Sequence, residues 1–123
     1  MSTLFKISIL GFSLALSGCY YDKEELLYPD SANCTVPTAP TFNANVLPLL
    51  DNRCNSCHGG VAPSGGINLT TYPEVMKYVN SGSLMGSINH ASGYSAMPKN
   101  SGKLKTCEIE TIQTWIDAGA SNN

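Results

Sequence analysis

The chain of 123 residues carries seven lysines and arginines against nine aspartates and glutamates, a formal charge of −2. That length allows one domain, and the weakly acidic balance, with no cluster of basic residues, excludes a nucleic-acid-binding surface. With one tryptophan, three phenylalanines and eleven glycines, the chain has little material for a large apolar core, so it needs staples or a cofactor.

Positions 1–18 read as an export signal. Lys6 is the only charge in the first 21 positions, and the apolar run from Ile7 to Leu16 is shorter than the ~20 residues a membrane-spanning helix needs. The segment ends in Leu16, Ser17, Gly18 and Cys19, which resembles the lipobox of bacterial lipoproteins. That resemblance implies cleavage before Cys19, acylation of its thiol and new amino group, and firm anchoring in a bacterial membrane outside the cytoplasm, with the outer membrane favoured and either its periplasmic or its cell-surface face open. The plainer alternative is an ordinary secretory peptide with a chance cysteine.

Residues 19–40 show no sustained apolar period and include three prolines, the pattern of an extended tether. The run Asp22 to Glu25 is a solvated linker, although a lysine followed by two acidic residues here also resembles a cell-surface display signal of one bacterial phylum.

The domain proper is placed at 41–123. Phe42, Val46, Leu49 and Leu50 recur at three- and four-residue intervals, so a first helix is predicted from Phe42 to Cys54, with Pro48 either kinking it or starting its main segment. Gly59 to Thr70 is a glycine-rich loop. Thr71 and Glu74 have capping-box spacing, and Val75, Met76 and Val79 give the next helix its apolar stripe before Gly82. A further short helical piece is predicted at Ser83 to Asn89, weakened by Gly86, and His90 to Thr106 is again a loop. In the last helix Ile109, Ile112, Trp115 and Ile116 share a face, Glu108 and Glu110 sit near the start and Gly119 is a stop signal. No stretch alternates with period two, so the fold class is all-α: three to four short helices with long loops.

The segment Asp51 to Gly60, DNRCNSCHGG, carries the chemistry. On a helix, Cys54, Cys57 and His58 can all address one flat cofactor, and Cys-x-x-Cys-His is the signature of c-type haem attachment. Two other chemistries compete. Zinc needs four tetrahedral ligands, usually from two paired clusters, and no second cluster exists; a dithiol redox centre normally follows a strand in a βαβ setting, which this chain lacks.

Five cysteines are present. With Cys19 lipidated and Cys54 and Cys57 acting as one unit, Cys34 and Cys107 remain as a disulfide pair in an oxidising compartment; the alternative is that all four non-lipid cysteines bind one metal.

From Phe42 onward, through FNANVLPLLDNRCNSCHGG, SAMPK and IQTWIDAGA, the chain resembles a class I c-type cytochrome domain of exported bacterial lipoproteins. The resemblance implies a small cytochrome c-like fold around one covalent haem c, held by Cys54 and Cys57 with His58 on the iron. It implies Met97 as the sixth ligand, with His90 a weaker alternative, and Met76 and Met85 read as core packing. His58 is expected to bond a backbone carbonyl in the following loop, with Pro63 as the guess, and Tyr94 and Trp115 are either haem contacts or ordinary core and surface.

The expected activity is single-electron transfer without bond chemistry: an electron carrier and not an enzyme, exchanging electrons with redox proteins as a monomer or as a subunit of a larger complex. One alternative is a haem enzyme or gas sensor with an open or weakly held sixth site. Another is a haem-free surface binding module stabilised by disulfides.

Overall fold

A computed structural model of the chain describes residues 34–123; the export signal, Cys19 and the tether as far as residue 33 lie outside the described residues. Five α-helices make up most of the regular structure: α1 (Leu47–Arg53), α2 (Asn55–His58), α3 (Tyr72–Asn80), α4 (Ser83–Ile88) and α5 (Thr106–Asp117). No strand occurs among the described residues, so the protein is all-α there.

The predicted first helix is two pieces, with a third, α2, following the break at Cys54. It opens as a π-helical turn over Phe42–Val46, in which Val46 N–H donates to the Thr41 carbonyl and Leu47 N–H to that of Phe42. Pro48 then stands at the start of α1, where its missing N–H costs nothing, so it begins the main segment and does not kink it. Apolar spacing of three and four suits a π turn as well as an α turn, which is why the pattern did not separate them. At Cys54 the backbone (φ −122°, ψ −42°) breaks the helix, and α2 restarts at once on the Cys54 carbonyl, which accepts from Cys57 and His58.

In α3, Thr71 is the N-cap residue by position, but its side chain caps nothing, and Glu74 pairs with Lys77 at 2.7 Å. The expected capping box does not form there. Glu108 accepts from the Lys105 backbone N–H at 3.0 Å at the start of α5. The same helix stops as expected. Gly119 (φ 100°) donates to the Ile116 carbonyl and Ala120 to that of Trp115, the paired bonds of a Schellman ending.

The core is built around Trp115, Phe42, Leu50, Ile112, Val46 and Val75, all fully buried, each worth about 1.5–3 kcal/mol by the area it removes from water. Phe42 meets Tyr72 edge-on at 5.2 Å and Trp115 at 5.6 Å, so the first and last helical segments pack through one aromatic cluster. The polar ends of that cluster are satisfied: Trp115 Nε1 donates to the Ser121 carbonyl and Tyr72 OH to that of Ala120. Asn123 receives the Phe42 N–H on its side chain and the Asn43 N–H on its backbone oxygen.

Cys34 and Cys107 are joined by a disulfide, with Cα atoms 5.9 Å apart. The bridge fastens the segment from Cys34 to Pro40 to the first turn of α5, and Pro40 is buried. The fold thus reaches back to Cys34, inside the span assigned to the tether.

Candidate functional site

The break at Cys54 decides where the motif side chains go. Cys54 closes α1 with its N–H on the Leu50 carbonyl and opens α2 with its own carbonyl, which accepts from Cys57 and His58. Cys54 is half-buried, Cys57 is exposed, and both are free thiols.

The loop after the motif folds back onto it. Leu69 N–H donates to the His58 carbonyl at 3.0 Å, Asn55 Nδ2 donates to the Leu69 carbonyl at 3.2 Å, and His58 Nδ1 lies 3.2 Å from the carbonyl of Ile67. A carbonyl can only accept, so Nδ1 carries the proton and Nε2 is left with a free lone pair, the state of a metal-ligating imidazole. The acceptor is Ile67 and not Pro63. Three glycines with positive φ, Gly60, Gly65 and Gly66, let the loop make this return. Gly59 is fixed by contact instead: a Cβ there would stand 2.6 Å from the Asn55 carbonyl oxygen.

Cys54, Cys57, His58 and Met97 all line one cavity of about 800 Å³. That is within the ~300–1,000 Å³ typical of small-molecule and cofactor sites. Its apolar wall includes Ile67, Leu69, Leu84, Ile88 and Leu104, drawn from the loop, from α4 and from the approach to α5. Arg53 and Lys99 are the permanent charges in the lining, and no carboxylate lines it.

Met97 arrives on the loop between α4 and α5, just before a cis peptide to Pro98. His90 is not in the cavity wall; its Nε2 bonds the Met97 carbonyl at 3.0 Å. Met76 and Met85 pack against the core outside the lining, as the packing reading expects. Tyr94 lines the cavity, whereas Trp115 belongs to the aromatic core and does not.

Burial, and after it the neighbouring Glu108, push the Cys54 thiol up to about 11 against an opposing pull from Arg53. Such a thiol stays protonated at neutral pH, the reverse of the activated thiol a dithiol oxidoreductase needs. For zinc, Cys34 and Cys107 are spent on each other, and among the described residues no three His, Cys, Asp or Glu side chains stand together to share an ion.

Sequence reasoning missed the Ile67 carbonyl, the His90 contact and the seat of Tyr94 on α4. Backbone acceptors and loop closures leave no residue-type signal; Gly86 inside the short helix α4, with Gly82 just before it, was the available hint for Tyr94.

Among the described residues, no helix is long and apolar enough to cross a membrane. Comparison with protein-family models, with curated proteins and with solved structures found no match to this chain.

Proposed function

We propose that the protein is a monohaem c-type cytochrome that carries single electrons outside the cytoplasm, anchored to a bacterial membrane through lipid on Cys19. The observation that carries this reading is the convergence of Cys54, Cys57, His58 and Met97 on one largely apolar cavity, with the His58 imidazole already oriented by the Ile67 carbonyl.

The residues fit the group. Cys54 and Cys57 would hold a porphyrin through thioethers, His58 Nε2 and the Met97 thioether would ligate its iron, and Lys99 would suit its carboxylates, Arg53 being paired with Glu108 at 2.8 Å. A bound haem supplies a one-electron iron couple, and a thioether opposite imidazole raises its potential. The chain's own contribution is to orient and line the site. Ile67 fixes the tautomer of His58, and Leu84, Ile88 and Leu104 give the cavity an apolar wall. The helices and the Met97 loop would then close around the group as in the cytochrome c-like fold.

Partners on this reading are redox proteins, a membrane complex or an oxidoreductase acting beside it, and no catalytic residue is assigned. The test is the denatured mass of the mature protein from a haem-attaching host, together with its reduced-minus-oxidised spectrum. Covalent haem with low-spin bands and a methionine-to-iron charge-transfer band is the expected result; a chain with no added mass would overturn the reading in favour of a haem-free module.

The second reading, an open or weakly held sixth site, draws on one observation: residues 89–96, which lead to Met97, are exposed throughout. Carbon monoxide binding by the reduced native protein separates the two readings, since a firmly ligated iron leaves no site for it.

A further inference from the structure

The loop from His90 to Met97 is closed on itself. Its two ends meet at one atom: the Ser87 carbonyl accepts the His90 N–H at 3.1 Å and the Met97 N–H at 3.1 Å. A third bond spans the same ends, from His90 Nε2 to the Met97 carbonyl at 3.0 Å. Because a carbonyl can only accept, that ring nitrogen is the protonated one. His90 reaches it from a left-handed backbone (φ 54°), a conformation that few residue types other than glycine adopt readily, histidine among them. Met97 is thereby held through the peptides on both of its sides, by its N–H and by its C=O.

We propose that His90 is a positioning residue whose imidazole closes the 90–97 loop by gripping the Met97 carbonyl, so that the Met97 thioether is presented to the cavity as a held sixth ligand. The proposal rests on the haem reading above and adds to it a residue that touches neither haem nor iron. It reassigns His90 from rival ligand to support of the ligand. Backbone bonds to Ser87 alone fix the loop's ends, but they leave the Met97 carbonyl without a partner and hold the residue from its N–H side only.

The test compares native protein with His90→Gly and His90→Gln. Glycine removes the imidazole while keeping the left-handed backbone comfortable, and glutamine returns an N–H donor of similar reach. Free imidazole is the probe, competing with Met97 for ferric iron. In the glycine variant, binding of free imidazole is expected to be tighter by about tenfold, the worth of one hydrogen bond, with a weaker methionine-to-iron band. Glutamine should return both toward native. Glycine and native proteins that behave alike, or glutamine no better than glycine, would overturn the proposal. Hydrogen exchange at the Met97 amide, read on the same three proteins, keeps two failures apart. A native protein without the charge-transfer band sinks the axial assignment, and the loop closure then stands or falls on whether the glycine variant alone exchanges faster.

Discussion

The ring of Tyr94 lies against Gly86 so closely that a Cβ added to Gly86 would stand 2.5 Å from two of its ring carbons. These are atoms near the base of the ring, not a flexible tip, so the ring cannot yield cheaply. The Tyr94 hydroxyl extends toward Gly82, 3.6 Å from where a Cβ would sit, so two glycines one turn apart form its seat on α4.

The first prediction follows from the opposed magnitudes at that seat. Ala for Gly in a helix gains up to about 1 kcal/mol in propensity, whereas overpacking costs about 1–3 kcal/mol. Gly86→Ala should therefore destabilise the native protein. In a Tyr94→Ala background the clash is gone and the same substitution should stabilise. Urea melts of the four proteins in this cycle check the reversal of sign.

On the haem reading proposed above, Met97→Ala should convert a low-spin spectrum to high spin and open the reduced protein to carbon monoxide, because Met97 supplies the thioether in the cavity wall. An unchanged spectrum would remove Met97 from the iron. Met76→Leu and Met85→Leu, outside the cavity wall, should leave the bands where they are.

The bridge between Cys34 and Cys107 spans a sequence separation of 73 residues. In the chain-entropy treatment a closure of that length contributes about 4 kcal/mol. Replacing both cysteines with serine should lower unfolding stability by roughly 2–4 kcal/mol, measured by urea melts, with the haem spectrum retained. Loss under ~0.5 kcal/mol would mean the unfolded chain is already compact across this span.

Cys54 sets a pH dependence in the haem-free chain. Its thiol is raised from 9.0 to about 11 by burial first and Glu108 second. A thiol raised on folding favours the folded chain while it is protonated. That contribution is complete below the unfolded value near 9 and is lost as pH climbs through about 11. Stability of the chain without haem should fall over that window in a way that Cys54→Ala abolishes. Alkylation of Cys54 in the folded chain should rise over the same range.

What the sequence makes legible here is what residue type and short spacing encode. Phe42, Val75, Ile109, Ile112 and Trp115 announce their helices because each apolar face is contiguous along the chain, and the all-α class follows from them. Cys54, Cys57 and His58 announce themselves as a set, and Cys34 with Cys107 follow as the remaining pair. Arrangements that depend on backbone atoms brought back by a loop stay hidden. The Ile67 carbonyl meets His58 only because Gly60, Gly65 and Gly66 turn the chain around, and no side chain at 67 reports it. His90 shows the limit from the other side: its residue type kept it as a weaker candidate ligand, while in the fold its imidazole meets the Met97 carbonyl from a left-handed backbone.

The bridge from Cys34 to the first turn of α5 also determines how a pull on the protein would travel. Tension applied upstream of Cys34 passes through the sulfur atoms into α5, and residues 35–106 form a slack ring beside that path. Met97, His58 and the loop that orients it all sit in the ring. A molecule tugged from its N-terminal side bears the load on one helix end, and the covalent path of the force bypasses the residues around the cavity.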